Sequence, residues 1–171
     1  RITILDLRGV QKVDDTAVYY LRDLKHEAPS MTFYFEGGLR SLVEFVNRYQ
    51  KTLHKNVFYA EREQDGVTVE IALQYVDDIS SRLSAFANNT YNAEGGMHIT
   101  GFKTALTRTI NNYVKKSSSK DSGEAFTGDD VLEGLTAVIS VKLREIQFEG
   151  QTKTKLGSVE AQSAVATVFG E

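Results

Sequence analysis

Two stretches of strict alternation limit the fold of this chain more than any other feature. From Leu135 to Leu143 the apolar residues Leu135, Ala137, Ile139, Val141 and Leu143 take every second place, with Thr136, Val138, Ser140 and Lys142 between them. Successive side chains on a strand point to opposite faces, so a period of two predicts a strand with one face on a core. Val67, Val69, Ile71, Leu73 and Tyr75 alternate in the same way with Thr68, Glu70, Ala72 and Gln74. This predicts a second strand, with one face buried and the other wet. Asp65 and Gly66 separate it from residues 57–63. Such a pair tolerates the positive φ of a tight primed turn, so 57–63 and 67–76 are expected to form a hairpin.

Shorter runs extend the pattern. Residues 2–6 and 31–35 are β-branched and aromatic, as strands are, and 82–88 is expected to add another. Helical spacing appears elsewhere. Leu39, Leu42, Val43, Val46 and Tyr49 recur three and four apart after Gly37 and Gly38, and Phe102, Leu106, Thr109, Ile110 and Tyr113 share one side of a helix expected over about 99–116. Thr127, Gly128, Asp129 and Asp130 make a start for a short helix, because a threonine cap accepts from orphan amides and acids suit the positive end of the dipole. A last helix is expected from about Ser158, with Ala161, Ala164, Val165 and Val168 inward. The polar run 116–123, with Ser117, Ser118 and Ser119, reads as a mobile loop. Strands and helices in this mixture predict an α+β chain.

Composition narrows the function classes. At 171 residues, 41% hydrophobic and 25% charged, the chain sits at globular averages, and no apolar run approaches the roughly 18 residues that would span a bilayer. It has no Cys, which removes disulfides, a thiolate nucleophile and Cys-ligated zinc. The start, Arg1 to Asp6, lacks an initiator Met and a signal-peptide pattern, so it reads as a cut through a longer chain of the cytoplasm. A net charge of −3 argues against a generally nucleic-acid-coated protein, yet it hides an asymmetry. No acid occurs from Gly95 to Lys120, a span that carries Lys103, Arg108, Lys115, Lys116 and Lys120.

The stretch Glu149 to Gly157 sets Gln151, Lys153 and Lys155 in a Gly-bounded turn between a strand and a helix. A lysine ammonium is a compact point charge suited to phosphate, and a glutamine amide can donate beside it. Spacing alone favours a solvated loop that happens to carry lysines, and no Walker A pattern is present. The basic residues of 95–120 likewise fit an ordinary solvated helix face. His26, His54 and His98 stand in no metal-ligand spacing and read as packing residues. Neither Asp77–Asp78 nor Asp129–Asp130 makes a metal pair, since adjacent acids on a strand diverge and the second pair is explained by capping.

An ordered series of motifs carries a resemblance. Phe35 Glu36 Gly37 Gly38, Phe86 Ala87 Asn88 Asn89, Gly101 Phe102 Lys103 with Thr107 Arg108 Thr109, Thr127 Gly128 Asp129 Asp130, Glu133 Gly134 Leu135, and Gln151 Thr152 Lys153 occur in that order. With them the chain, from Tyr34 to Phe169, resembles the gyrase B and topoisomerase IV B proteins, members of the bacterial type IIA topoisomerases. One departure stands out: the family usually reads Glu-Gly-Gly-Thr-His where this chain has Glu94 Gly95 Gly96 Met97 His98.

The resemblance implies a ribosomal protein S5 domain 2-like fold, a mixed sheet with helices packed on one face. It places a transducer domain at 31–171 and the end of a GHKL ATPase domain, with its connection, at 1–30. It implies that Lys153 and Gln151 contact the γ-phosphate of ATP, that Lys103, Arg108 and Lys115 face a cavity for duplex DNA, and that no catalytic or metal-binding residue lies in this stretch. ATP and Mg2+ would be cofactors of the full-length protein. Partners would be its own ATPase domain, a metal-binding TOPRIM domain, a gyrase A-type protein, DNA and a second copy, with no membrane. Lys155 matches the pattern without an assigned role. Two readings from other classes stay open: a stand-alone S5-like nucleic-acid-binding module, and the same domain of another GHKL ATPase such as a MutL-type mismatch-repair protein.

Overall fold

The chain divides into two compact units, 1–36 and 37–171. The computed structural model describes residues 36–117 and 125–170. The strands expected at 2–6 and 31–35, His26 and most of the expected loop at 116–123 lie outside the described residues. The two loop residues that are described, Lys116 and Ser117, form the end of a helix.

The described residues of the larger unit form three α-helices, a five-stranded mixed sheet and a smaller two-stranded one. Helix α1 spans Leu39–Val46. The hairpin follows as β1 (Phe58–Gln64) and β2 (Val67–Tyr75), paired antiparallel with Ala60 opposite Ile71. Then come β3 (Arg82–Ala87), β4 (Thr90–Tyr91) and β5 (Gly95–Gly96), which leads directly into α2 (Met97–Ser117). A 3-10 turn at Asp130–Leu132 precedes β6 (Leu135–Lys142), and β7 (Lys155–Leu156) precedes α3 (Val159–Gly170).

The strand order is β1-β2-β6-β3-β4, with β5 and β7 forming a separate parallel pair. At its centre β6 pairs antiparallel with β2, Ile139 opposite Ile71, and parallel with β3, Ile139 opposite Ala85. The parallel pairing requires a crossover, and α2 supplies it.

Both faces of the central strands are covered. On one face Val69, Ile71, Leu73, Ala137, Ile139 and Val141 meet Phe102 and Leu106 of α2 and Ala161, Ala164, Val165 and Val168 of α3. Full burial of each large apolar side chain contributes about 1.5–3 kcal/mol. Ala72, Phe86 and Val138 point the other way and meet Val43 of α1. The expectation of helices packed on one face therefore describes α2 and α3, while α1 takes the opposite face.

This second cover corrects the expectation of a wet face on β2. Glu70 and Gln74 are buried because α1 and the segment after it lie over them, and their polar groups are satisfied there. Asn47 donates to Gln74 (3.0 Å), Thr136 donates to Asn47 (2.7 Å), Gln74 donates to the His54 carbonyl (3.0 Å), and Tyr59 donates to Glu70 (3.0 Å). The helix ends at Val46, with Asn47 as its cap, and Tyr49 is 84% exposed.

The Phe86 to Asn89 motif has a structural account. Asn88 and Asn89 both adopt positive φ (45° and 62°) and make the two-residue turn between β3 and β4. The Asn88 side chain also clamps the end of β6, donating to the Leu143 carbonyl and accepting from the Leu143 amide, each at 2.9 Å. At the expected Thr127 start, the threonine amide and hydroxyl both donate to the Asp130 carboxylate at 2.7 Å, and the ordered turn is one short 3-10 segment.

Candidate functional site

The lysine-bearing loop is a small, well-anchored hairpin. Phe148 bridges Leu156 across it, and the Glu149 amide donates to the Lys155 carbonyl (2.9 Å). Lys155 forms an ion pair with Glu149 (2.8 Å), and that carboxylate raises the pKa of the lysine above its ordinary value. The residue left unassigned by sequence thus closes the base of the loop. One limb is fixed to the body by the β5–β7 pairing of Gly95 with Lys155 and Gly96 with Leu156. A side chain at Gly96 would overlap the Leu156 backbone, so the glycine pair serves this close approach as well as the entry to α2.

Lys153 and Gln151 stand at the tip. Both are exposed, and among the described residues the Gln151 amide makes no hydrogen bond and Lys153 no ion pair. The Lys153 ammonium lies 5.8 Å from the centre of the Phe148 ring. Its backbone has φ +54°, a left-handed conformation uncommon for a residue with a side chain. The Lys153 carbonyl accepts a 2.8 Å hydrogen bond from Asn92. An exposed cation and an exposed amide two residues apart, on a braced turn, can meet an anion approaching from outside the unit.

The basic residues of α2 are placed separately. Lys103 and Arg108 line one shallow groove with Thr104, Thr107, Asn111 and Gly128. Lys115 lies two turns further along and is not among the groove residues. Arg108 also reaches the Ala166 carbonyl at the last turn of α3 (3.5 Å), so part of its hydrogen-bonding capacity serves that helix end. The apolar stripe expected to run to Tyr113 fades earlier. Burial ends at Leu106, and Tyr113 is 71% exposed.

The other candidates are structural. His98 is fully buried in the first turn of α2, and burial pushes its pKa down to about 4, so the ring is neutral near pH 7. Asp77 pairs with Lys51 (2.8 Å) and Asp78 with Arg82 (2.6 Å), which splits the adjacent acids between two cations. Among the described residues no three His, Asp or Glu side chains come together as a metal site, and no helix is long and apolar enough to cross a membrane.

A family model described as DNA gyrase B matches residues 38–171, which include the lysine loop and the whole of α2. The chain belongs to the DNA gyrase B family. Among curated relatives, the gyrase B protein of Halalkalibacterium halodurans is 50% identical over 152 residues, 88% of this chain and 24% of the relative. That of Myxococcus xanthus is 51% identical over 140 residues, 81% of this chain and 17% of the relative. The chain thus spans a quarter or less of the length of these two relatives.

Solved structures agree with the gyrase B assignment. The 43K ATPase domain of Thermus thermophilus gyrase B, solved in complex with an aminocoumarin, superposes with a TM-score of 0.76 at 30% identity, over 96% of this chain and 49% of that one. The topoisomerase IV ATP binding domain of Francisella tularensis shares the fold, with a TM-score of 0.68 at 24% identity over 93% of this chain and 46% of that one. The α+β fold with its mixed sheet is therefore that of gyrase B-type ATPase regions. Asn92 and Glu149 escaped sequence reasoning, because nothing local to an isolated Asn or Glu announces a partner tens of residues away or across a turn.

Proposed function

We propose that this chain is the transducer segment of a gyrase B-type ATPase, with 31–171 as the transducer and 1–30 as the end of a GHKL ATPase domain. Lys153 and Gln151 read the γ-phosphate of ATP held by that domain. The observation that carries the reading is the presentation of Lys153, an exposed ammonium without an ion pair among the described residues, at the tip of a turn braced by Glu149, Lys155 and Asn92. A braced backbone spares the loop its share of the ordering cost when the ammonium meets its anion.

Bound ATP supplies a terminal phosphate whose negative charge disappears from this position after hydrolysis and release. While it is there, Lys153 donates a charge-assisted hydrogen bond and Gln151 a neutral one, and together they hold the two domains in one orientation. A charge-assisted bond contributes about 1.5–3 kcal/mol, enough to shift a two-state equilibrium by roughly ten- to over a hundredfold. The full-length protein would work with Mg2+, a TOPRIM domain, a gyrase A-type partner and a second copy. Coupled to them, the loop would link nucleotide state to passage of duplex DNA in the cytoplasm.

The groove of α2 favours a second contact within the same function. Lys103 and Arg108 share it with hydroxyl and amide side chains, on a helix without an acid. Such a surface suits duplex phosphates, read without sequence preference.

The test is Lys153→Met in the full-length protein, which keeps side-chain length and removes the charge. ATP turnover and nucleotide-driven dimer closure should fall by at least tenfold with the melting temperature unchanged. Unaltered turnover would remove Lys153 from the phosphate site.

A further inference from the structure

Asn92 is buried to 2% exposure and sits where three parts of the unit meet. Its amide N–H donates to the Ala85 carbonyl of β3 (2.8 Å), its carbonyl accepts from Gly95 of β5 (2.9 Å), and its side-chain Nδ2 donates to the Lys153 carbonyl (2.8 Å). The first bond fixes Asn92 to the main sheet and the second to the strand that pairs with β7. The third spans 61 positions of sequence to the residue at the tip of the lysine loop.

That third bond falls on a residue that needs holding. Lys153 keeps φ at +54°, a conformation that costs a non-glycine residue free energy unless its surroundings impose it. Within the loop, the nearest support is the 3.4 Å contact from the Lys153 amide to the Gly150 carbonyl. The Asn92 bond is shorter and comes from a buried donor, where a hydrogen bond is screened least. Asn92 has no charge to offer a phosphate and does not reach the solvent side of the loop; it can act only through Lys153.

We propose that Asn92 is the positioning residue of the lysine loop: it holds the Lys153 backbone in the left-handed conformation that aims the ammonium outward. The inference rests on the proposed contact between Lys153 and the γ-phosphate. Without the Nδ2 bond, the loop stays closed at its base by Glu149 and Lys155 and tied to the body by the Glu94 amide on the Thr154 carbonyl (2.9 Å), but the Lys153 backbone relaxes and the lysine samples other directions. The consequence is a loss of discrimination between nucleotides with and without the terminal phosphate, and not a loss of nucleotide binding as such.

The experiment uses the full-length protein with Asn92→Leu, near-isosteric and apolar, alongside Asn92→Ala, Lys153→Met and the double variant Asn92→Leu/Lys153→Met. Affinities for a non-hydrolysable ATP analogue and for ADP give a discrimination ratio, and peptide-resolved amide hydrogen exchange reports on 148–156. Expected are a drop of about tenfold or more in the ratio for Lys153→Met and of several-fold for the Asn92 variants. The double variant should be no worse than Lys153→Met alone, because the two residues act in series. Exchange should rise in 148–156 and stay level in β2 and β6.

Unchanged exchange in 148–156 would overturn the latch itself. Raised exchange with the ratio retained, while Lys153→Met loses it, would overturn the positioning role and leave the phosphate contact standing. A ratio untouched by Lys153→Met would fell the phosphate contact, and this inference with it.

Discussion

Gly101 of α2 lies against the backbone of Gln162 in α3, so close that a Cβ at 101 would overlap the Gln162 carbonyl oxygen. This is where the two long helices cross over the sheet, and the adjoining Phe102 is fully buried beneath them. Backbone cannot move aside as a flexible side chain can. Gly101→Ala should therefore push the helices apart and destabilise the unit by about 1–3 kcal/mol, a fall of several degrees in melting temperature. A variant that melts with the native protein would mean that the crossing is looser than described.

His98 predicts a pH dependence. Its pKa is about 4 in the folded chain against an ordinary 6.5, with burial as the cause. Between those values the unfolded chain takes up a proton that the folded chain does not. The stability contributed by the neutral ring is complete above pH 6.5 and is lost as the pH falls towards 4, by on the order of 3 kcal/mol. Melting curves of the native protein and of His98→Leu should diverge over that window. Parallel curves would show that His98 does not titrate in this way.

The two lysines of the loop should separate cleanly. Lys155 is held by Glu149 at 2.8 Å, whereas Lys153 has no ion pair among the described residues. In the full-length protein, Lys155→Met should lower ATP turnover far less than Lys153→Met, and its small effect on melting should fade in high salt, as exposed pairs do. Equal losses from the two substitutions would show that the Glu149 pair does not set Lys155 apart from Lys153.

On α2, Lys103 and Lys115 offer cleaner tests of DNA contact than Arg108, whose removal also takes a partner from the Ala166 carbonyl. With the full-length protein, Lys103→Ala and Lys115→Ala should each reduce the slope of log affinity for duplex DNA against log salt by about 0.9. If only Lys103→Ala does so, the contact is confined to the groove with Thr104, Thr107 and Asn111. If neither does, α2 is an ordinary solvated surface.

Much of the architecture is legible in the sequence because the relevant patterns are local. The alternation of 135–143 locates β6, Asp65 and Gly66 locate the hairpin turn, and Ala161, Ala164, Val165 and Val168 give the buried side of α3. Tyr49 and Tyr113 depart from expectation because spacing extends a helical stripe for as long as apolar residues recur: α1 ends at Val46, before Tyr49, and α2 continues to Ser117 while its buried residues end at Leu106. Glu70 and Gln74 depart from it in the opposite sense. Their polarity implies water, and the Asn47 amide, the His54 carbonyl and the Tyr59 hydroxyl take the water's place.

The candidate site divides in the same way. The Gln151 to Lys155 run marks a loop able to meet phosphate, and the motif series points to its family, because both are written in residue identity and order. Neither separates the role of Lys153 from that of Lys155, sets the left-handed turn at Lys153, or brings Asn92 beneath it. Those depend on which groups the chain juxtaposes across long separations. A hydrogen bond spanning 61 residues forms only once β3, β5 and β7 are in place. The sequence by itself determined the longer elements of the described residues, the charges and the family; the tertiary structure decided the short pairings, which charge is neutralised, which is left to act and what holds it there.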